Sequence, residues 1–479
     1  MKKEAKCKNL IAAVVLAVFA ILMTVPSPLF AAAPKGEPIV IGYVGTVASP
    51  GTKPCMDIQN MAVREINEAG GILGRPVVYK VMDNKGDTSL SVDAFRKLVI
   101  EDKATIISVE GRSEICLAIQ EASGVLYKEY PHILVFNGPM ASDLTARIID
   151  EAPKYNHCFR DWDPEPAQFT QMKYFAENLY KKRMGVKKMA ILWEDLDWTK
   201  EFRTGVPSLN LPSWEKMFSD LGIEVVYSKG IKPRGTMYLP IFQEIVSKQA
   251  DFILIVSSWF TDTDAFAKQW ANSAAKDIPV STFGGVAQTY KYWDMTGGKA
   301  LGVLTSFTDL DTIPVTPKTI PLMLKAQRLN IPMQNHVHIA YADIYHFKAA
   351  IEKAGTNSDF NKLIKGMEDV TTEYSLGKMK YETQKIKPYY HSRVRVDPKN
   401  PWKTYPGYYY QLIVQFQERG KIAVLSESCE ENEKAMGKYV HPEMYRTPAQ
   451  LRDIVAGKLP PAMPVQKPAK APVAKPAKK

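Results

Sequence analysis

Short apolar runs alternate with longer segments of helical periodicity along most of the chain. Residues 38–44 (PIVIGYV) are an apolar run of strand length, and the apolar positions across 58–69 then repeat with the 3.6-residue period of a helix that buries one face. Gly70 and Gly71 follow, and glycine readily adopts the left-handed conformation that ends a helix. Residues 77–82 are again typical of a strand. The order strand, helix, strand is the repeating unit of a parallel sheet.

The same alternation continues in two series, which together predict an α/β fold with two doubly wound lobes. The first series adds helices at 91–101 and 114–128 and strands at 104–109 and 132–136. The second series begins after Cys158, with helices at 166–182, 214–221, 238–248 and 263–275 and strands at 188–193, 224–227, 251–256 and 278–282. In open parallel sheets, ligands bind beyond the carboxyl ends of the strands, where loops converge. Six loops follow predicted strands in this way: 45–51, 110–114, 137–142, 194–200, 257–262 and 283–288.

The first 33 residues resemble a secretory signal. They open with four lysines, continue with an apolar run at 10–25 and end in three alanines at 31–33. The apolar run is shorter than the span of about 20 residues that a membrane helix needs. We therefore expect export with removal of residues 1–33, and an uncleaved anchor is the alternative.

The opposite end of the chain, residues 458–479, is dominated by lysine, proline and alanine and contains no aromatic residue. Such a segment buries too little apolar surface to fold, so we expect a disordered tail. Two roles remain open for it. It is either a solvated tether or a segment attracted to an anionic surface such as lipid or a wall polymer.

The net charge of +11 is concentrated at the two ends of the chain. The first nine residues contribute +3 and residues 458–479 contribute +6, which leaves +2 for the rest. A nearly neutral body without an RNA- or DNA-binding motif does not fit a basic nucleic-acid groove. We therefore expect no nucleic-acid partner.

Four cysteines follow the signal segment without a CxxC spacing: Cys55, Cys116, Cys158 and Cys429. Their spacing argues against zinc and leaves one or two disulfides open, with the pairing undetermined. His336 and His338 form an HxH pair without an acidic partner at ligand spacing, so packing is expected there rather than metal binding. No metal and no cofactor are predicted.

The chain lacks the usual sequence motifs of phosphate-binding and hydrolytic enzymes. It contains no GxxxxGK[ST] loop, no GxGxxG at the start of the first helix and no GxSxG nucleophile turn. Asp195 and Asp197 flank a predicted loop, where helix capping explains them better than acid/base catalysis. The sequence therefore predicts no catalytic residue.

Residues that follow the predicted strands favour binding of a small acid. Arg112 and Ser113 come after the strand at 104–109 and could hold a carboxylate through a charge-assisted hydrogen bond and a hydroxyl. Trp198 and Trp259 follow strands of the second series, and each could bury about 200 Å² against a ligand, worth about 5 kcal/mol before ordering costs. The alternatives are an exposed arginine without a ligand and tryptophans that pack between helices.

Three stretches carry a resemblance to a known protein family: IVIGYVGTVASPG at 39–51, INEAGGILGRPVVYKVMDNKGD at 66–87 and FNGPMASDLTAR at 136–147. Together with the secretory signal and the two lobes, they resemble the type I periplasmic binding proteins of ABC transporters. Among these, the chain is most similar to the leucine/isoleucine/valine-binding (branched-chain amino acid) family. The resemblance thins towards residue 375, and residues 385–443 have no clear counterpart.

The resemblance implies two lobes joined by a hinge, the Venus-flytrap arrangement. Residues 38–158 with 303–372 would form the first lobe, and residues 159–302 with 373–450 the second. The chain would cross between the lobes three times, near Phe159, Gly302 and Thr372.

Ligand contacts are also implied by position. The loop that holds the ligand carboxylate corresponds to residues 112–114 and its partner to residues 138–140, and aromatic positions of the family correspond to Trp198, Trp259 and His336. The implied ligand-binding residues are Arg112, Ser113, Glu114, Gly138, Met140, Trp198, Trp259, Gly284 and His336.

Two departures from the family pattern bear on the ligand. Met140 stands where amino-acid binders have a threonine, and Gly284 stands where they have the acidic partner of the α-ammonium. An ammonium buried without a carboxylate would lose a charge pair that is expensive to leave unmade. We therefore expect a ligand without an α-amino group, such as an aromatic or branched carboxylate. Asp262 or Asp264 could fill the vacancy if the correspondence is shifted by one or two residues.

The function that the resemblance implies is capture without chemistry. We expect a monomeric periplasmic substrate-binding component of an ABC importer, which closes on an amino acid or related carboxylate and delivers it to permease subunits in the membrane. Closure would follow from the ligand contacting both lobes in the closed state and one in the open state. The alternatives are a ligand-sensing clamshell that reports to a membrane partner and an exported α/β enzyme, against which the missing nucleophile motif counts.

Overall fold

The structure is a computed structural model that describes residues 33–460, except 50, 308–312, 409–410 and 428 and the side chains of 307 and 335. Residues 1–32 of the predicted signal and residues 461–479 of the predicted tail therefore lie outside the described residues. Within the described ranges, no helix combines the length and the apolar character needed to cross a membrane.

The first sheet consists of five parallel strands in the order β2-β1-β3-β4-β5. Its strands are β1 (Ile39–Gly45), β2 (Val77–Asp83), β3 (Ile106–Glu110), β4 (Ile133–Asn137) and β5 (Cys158–Arg160). The helices that connect them are α1 (Thr52–Glu68), α2 (Thr88–Ile100), α3 (Ser113–Leu126) and α4 (Asp143–Asp150).

The glycines after α1 are required by the turn that follows. Gly71 has a φ of +78°, and a Cβ there would lie 2.0 Å from the carbonyl oxygen of Arg75. The next helix, α2, begins at a side-chain cap, because the Asp87 carboxylate accepts a hydrogen bond from the backbone N–H of Leu90. The glycine turn and the Asp87 cap therefore set where α1 ends and α2 begins, on either side of β2.

The second sheet has seven strands in the order β16-β15-β10-β9-β8-β6-β7. Five of them are parallel: β6 (Lys188–Glu194), β7 (Glu224–Ile231), β8 (Phe252–Val256), β9 (Val280–Phe283) and β10 (Leu304–Phe307). The helices in this part are α5 (Ala167–Phe175), which continues as π-helical turns at Ala176–Arg183, α6 (Lys200–Thr204), α7 (Trp214–Asp220), α8 (Tyr238–Ser247), α9 (Thr263–Ala271) and α10 (Lys291–Met295).

The rest of the chain returns to the first sheet and then completes the second. It contributes α11 (Thr319–Arg328), α12 (Asn335–Ala354), α13 (Phe360–Asp369), the hairpin β11 (Thr372–Tyr374) and β12 (Gly377–Met379), and a second pair, β13 (Val396–Asp397) and β14 (Asn400–Thr404). The antiparallel strands β15 (Leu412–Glu418) and β16 (Lys421–Ser426) extend the second sheet, followed by α14 (Glu430–Ala435) and α15 (Pro448–Val455).

The predicted α/β fold with two doubly wound lobes is confirmed. Two of the chain crossings lie later in the sequence than expected. Leu304 and Thr305 pair with β9, so the chain leaves the second sheet after Phe307 and not near Gly302. The hairpin of β11 and β12 packs with α12, and α12 packs on α1, so the third crossing follows Met379 and not Thr372.

All four described cysteines are free thiols, so the disulfides that the sequence left open do not form among them. Each is buried in the interior, where desolvation raises the pKa of the thiol. The four thiols are therefore inert packing groups in this structure.

A serine hydroxyl joins two buried histidines beneath the first sheet. Ser123 Oγ lies 2.7 Å from His132 Nε2 and 2.6 Å from His157 Nε2, and His132 Nδ1 lies 2.7 Å from the carbonyl oxygen of Tyr130. A carbonyl only accepts, so His132 donates from Nδ1 and accepts the serine proton at Nε2, while His157 donates to the serine oxygen. This arrangement needs a neutral His132 ring, and burial lowers the pKa of His132 to about 4. Burial also lowers the pKa of His157.

The buried histidines predict a loss of stability in acid. An unfolded histidine has a pKa of about 6.5. Between that value and about 4 the unfolded chain binds the proton and folded His132 does not, so stability present above about pH 6.5 falls as the pH is lowered. At pH 5 the loss from this one ring is about 2 kcal/mol. We expect His132→Gln to reduce the difference in the free energy of unfolding between pH 7.5 and pH 5 by that amount, measured by urea unfolding.

The matched control is His441→Gln, because the His441 side chain is exposed. It should leave the difference between the two pH values unchanged. An equal acid sensitivity in the wild type and in His132→Gln would contradict the prediction.

Candidate functional site

A cavity of about 150 Å³ lies where the carboxyl ends of the two sheets face each other. Each of the six loops picked out from the sequence contributes to its wall. Eight residues outside these loops also line it: Thr52, Gly86, Ile115, Trp162, Gln168, Ser306, His336 and Gln411. The cavity is where open parallel sheets place their ligands, and it draws on both lobes.

All nine residues implied as ligand contacts line this one cavity. They are Arg112, Ser113, Glu114, Gly138, Met140, Trp198, Trp259, Gly284 and His336. Glu110 and Trp162 also line it. Glu110 ends β3 and lies in the loop 110–114 that the carboxyl-end rule picked out, but sequence reasoning gave it no role. Trp162 was missed, because it follows β5, a strand of three residues that is too short to recognise by pattern.

Arg112 is the half-buried residue that caps α3 at the first-lobe wall. Its guanidinium has no hydrogen-bond or ion-pair partner in the part of the chain that the structure describes. The amino end of α3 lies beside it and adds partial positive charge. Ser113 Oγ accepts a hydrogen bond from the Ala141 N–H at 3.3 Å, which ties the loop after β3 to the loop after β4. This side of the cavity is therefore suited to an anion.

Glu194 organises the second-lobe wall from the end of β6. One carboxylate oxygen accepts the Trp198 indole N–H at 2.5 Å, and the other accepts the hydroxyls of Ser258 at 2.7 Å and Thr261 at 2.5 Å. Burial raises the pKa of Glu194, and these three donors oppose that effect. Glu194 does not line the cavity, so it orients Trp198 and the loop after β8 from behind the wall.

Trp259 brings the second lobe against the first. Its Cγ would lie 3.4 Å from a Cβ on Gly51, in the loop after β1. The Trp259 indole nitrogen is buried and has no hydrogen-bond partner among the described residues. At the mouth of the cleft, Ser142 Oγ donates to Glu201 Oε2 at 2.8 Å, a second link between the lobes.

His336 is held by stacking on Trp162, with ring centroids 4.4 Å apart and planes inclined by 4°. Gly138 has a φ of +91°, and a Cβ there would lie 2.9 Å from His336 Nε2, so only glycine fits beside the ring. Burial lowers the pKa of His336 to about 4, which keeps the imidazole neutral near pH 7. His336 therefore supplies a flat, uncharged part of the wall.

The wall has no acid at the position of Gly284. That residue has a φ of +87°, and a Cβ would lie 2.4 Å from the carbonyl oxygen of Ser257, so no side chain can be carried there. Asp262 and Asp264 do not line the cavity, and Asp264 pairs with Lys268 at 2.9 Å. The acid that does line the cavity near Arg112, besides Glu114, is Glu110.

Buried charges hold the crossings between the lobes, and sequence reasoning missed them. Arg160 is fully buried and donates to the carbonyl oxygens of Met140 and Ala141 at 3.1 and 2.7 Å and to the hydroxyls of Thr145 and Ser392 at 2.7 and 2.9 Å. These bonds connect the first crossing to the loop after β4 and to the third crossing. A second buried pair joins Arg395 and Asp163 at 2.5 Å.

No group of three or more histidine, cysteine, aspartate or glutamate side chains is arranged to hold a metal ion within the described ranges. The cavity wall carries one cation, two carboxyl groups, hydroxyls, side-chain amides and aromatic rings. That set fits recognition of a small organic acid.

Comparisons with known proteins agree with this fold. A family model described as periplasmic binding protein matches residues 38–395. Leu/Ile/Val-binding protein homolog 3 of Brucella melitensis is 23% identical over 321 residues, which cover 67% of this chain and 80% of that protein. A solute binding protein of R. palustris in complex with 4-hydroxybenzoate has a TM-score of 0.62 at 18% identity and covers 82% of this chain and 96% of its own. A leucine binding protein of Thermotoga maritima has a TM-score of 0.59 at 13% identity, with 81% and 98% covered.

Proposed function

Because the chain belongs to the periplasmic binding protein family, the type I substrate-binding proteins of ABC transporters, we propose that it captures a small carboxylate for import. We also propose that the protein is exported to the periplasm, acts as a monomer and delivers its ligand to permease subunits in the membrane. Members of this family bind substrates and do not transform them.

The observation that carries the proposal is the unpaired Arg112 guanidinium in a wall of aromatic rings. A half-buried cation without a protein partner is free to bind an anion, and a ligand carboxylate would supply that partner through charge-assisted hydrogen bonds. Trp198 and Trp259 from the second lobe would cover the apolar body of the same ligand. The ligand thus contacts both lobes when they are closed, and its binding shifts the lobes towards closure.

The dimensions and charges of the cavity narrow the ligand class. An apolar cavity of about 150 Å³ accommodates benzene, so the ligand body has roughly the size of one ring or one branched side chain. Gly284 and its surroundings offer no carboxylate for an α-ammonium. We propose a monocyclic aromatic or branched carboxylate without an α-amino group. The relatives named above include a protein bound to 4-hydroxybenzoate and proteins named for branched-chain amino acids.

Calorimetry with matched ligands tests the proposed class. We expect 3-phenylpropanoate and 4-methylpentanoate to bind with a Kd near the micromolar range, about −8 kcal/mol. Phenylalanine and leucine, which differ from them by the α-amino group, should bind at least about tenfold more weakly because their ammonium must be desolvated. Micromolar binding of leucine or valine, with no binding of the aromatic acids, would show that the assigned class is wrong.

A further inference from the structure

Glu110 places an acid in the same wall as the proposed carboxylate site. It is the last residue of β3 and lies two positions before Arg112. The Tyr43 hydroxyl donates to its carboxyl group, and Thr52 and Cys55 are further neutral donors. No cation pairs with Glu110 in the described part of the chain. The carboxyl is thus solvated by uncharged groups and open towards the ligand cavity.

The surroundings of Glu110 favour its neutral form. Burial has the largest influence and raises the pKa of Glu110 to about 7, although the hydrogen bonds from Tyr43, Cys55 and Thr52 lower it. The neighbouring charge of Asp161 acts in the same direction as burial. Titratable and charged groups on six parts of the chain face Glu110 or share its cavity: β1, α1, β2, the loop after β3 with the start of α3, the first crossing and α12. They are Tyr43, Cys55, Tyr79, Arg112, Glu114, Cys116, Asp161 and His336. Of these, Arg112 supplies fixed positive charge, and His336 is neutral near pH 7.

We propose that Glu110 selects the charge of the ligand by holding a proton whenever a carboxylate occupies the cavity. This inference rests on the proposed function. An ionised Glu110 would put a second negative charge beside the ligand carboxylate in a poorly hydrated space, and like charges disfavour each other there. The proton comes from solvent and is bound by the Glu110 carboxylate, so each carboxylate enters together with one proton. An ammonium ligand would have the opposite effect and would drive Glu110 to ionise.

The test measures Kd and proton uptake together, with 3-phenylpropanoate as the probe. The probe is fully ionised between pH 6 and pH 9, so its own titration does not contribute. We expect the Kd of the wild type to rise above about pH 7, by up to tenfold per pH unit. Calorimetry at pH 8 in two buffers of different ionisation enthalpy should report uptake of about one proton per ligand.

The Glu110→Gln variant isolates the residue responsible. Its amide is uncharged at every pH and fits the same space, and the amide oxygen still accepts a hydrogen bond from the Tyr43 hydroxyl. We expect its Kd to be constant between pH 6 and pH 9, with no proton uptake and with tighter binding than the wild type at pH 9. The comparison variant is Glu201→Gln, because burial also raises the pKa of Glu201, which does not line the cavity. Glu201→Gln should keep the pH dependence of the wild type.

Each outcome decides the inference. The inference is wrong if the Kd of the wild type does not depend on pH. It is also wrong if the pH dependence survives in Glu110→Gln or disappears in Glu201→Gln. These outcomes leave the proposed function standing. Absence of carboxylate binding at every pH overturns the proposed function and this inference together. The pH dependence of Kd and the proton uptake are measured on the wild type. The inference can therefore be tested even if Glu110→Gln does not fold.

Discussion

Replacing Arg112 with methionine is expected to weaken binding of 3-phenylpropanoate by about a hundredfold or more. The guanidinium is the one cation in the cavity wall, and hydrogen bonds between charged partners contribute about 1.5–3 kcal/mol each. A loss of about 3 kcal/mol corresponds to roughly a 150-fold increase in Kd. Methionine keeps the apolar stem, so the change removes charge and donors and little packing. Calorimetry at pH 6.5 measures the effect.

Two further variants separate charge from geometry. Arg112→Lys keeps the charge and loses the planar fork, so its affinity should fall between those of the wild type and Arg112→Met. Arg147→Met removes a partly exposed arginine that pairs with Glu121 and Glu151 on the first lobe, and it should leave Kd unchanged. If the Kd of Arg112→Met lies within threefold of the wild-type Kd, Arg112 does not contribute to ligand binding.

The second large effect is expected at the crossing between the lobes. Arg160→Met should lower the free energy of unfolding by about 3–5 kcal/mol, because it leaves buried acceptors without their donor. The affected acceptors are the carbonyl oxygens of Met140 and Ala141 and the hydroxyls of Thr145 and Ser392. Burial lowers the pKa of Arg160 only to about 10, so the wild-type side chain is charged near neutral pH. Urea unfolding at pH 7.5 measures the loss from the transition midpoint at unchanged slope.

A surface arginine provides the comparison for this variant. Arg183 donates to the carbonyl oxygen of Pro442 at an exposed position, and Arg183→Met should cost less than about 1 kcal/mol. Equal unfolding midpoints for Arg160→Met and Arg183→Met would mean that the buried hydrogen bonds at the crossing contribute little.

Most helices and strands could be predicted because the buried strands are continuous apolar runs. The segment FILIV of β8 is buried at every position, as a strand covered on both faces must be. The cavity loops followed from the same pattern, since the carboxyl ends of parallel strands share one edge of a sheet. The structure places the nine residues implied by the family resemblance in the wall of one cavity. Their contact with a ligand stays a prediction.

The features that escaped prediction depend on contacts between distant parts of the chain. Asp163 and Arg395 are 232 positions apart, and each alone is typical of a solvated loop. The strands β15 and β16 form an antiparallel hairpin after a long irregular segment, outside the alternation of helices and strands that marks the rest of the fold. The state of the cysteines was undecidable from spacing, because it depends on which layer of the interior each thiol enters.

The buried thiols give the molecule a practical property. Maleimides and similar reagents attack the thiolate, and the four described cysteines combine burial with a raised pKa. Ala48 is exposed in the loop after β1, next to the cavity. An Ala48→Cys substitution would therefore create the only reactive sulfur among the described residues. A dye attached there would turn the protein into an optical sensor for its ligand.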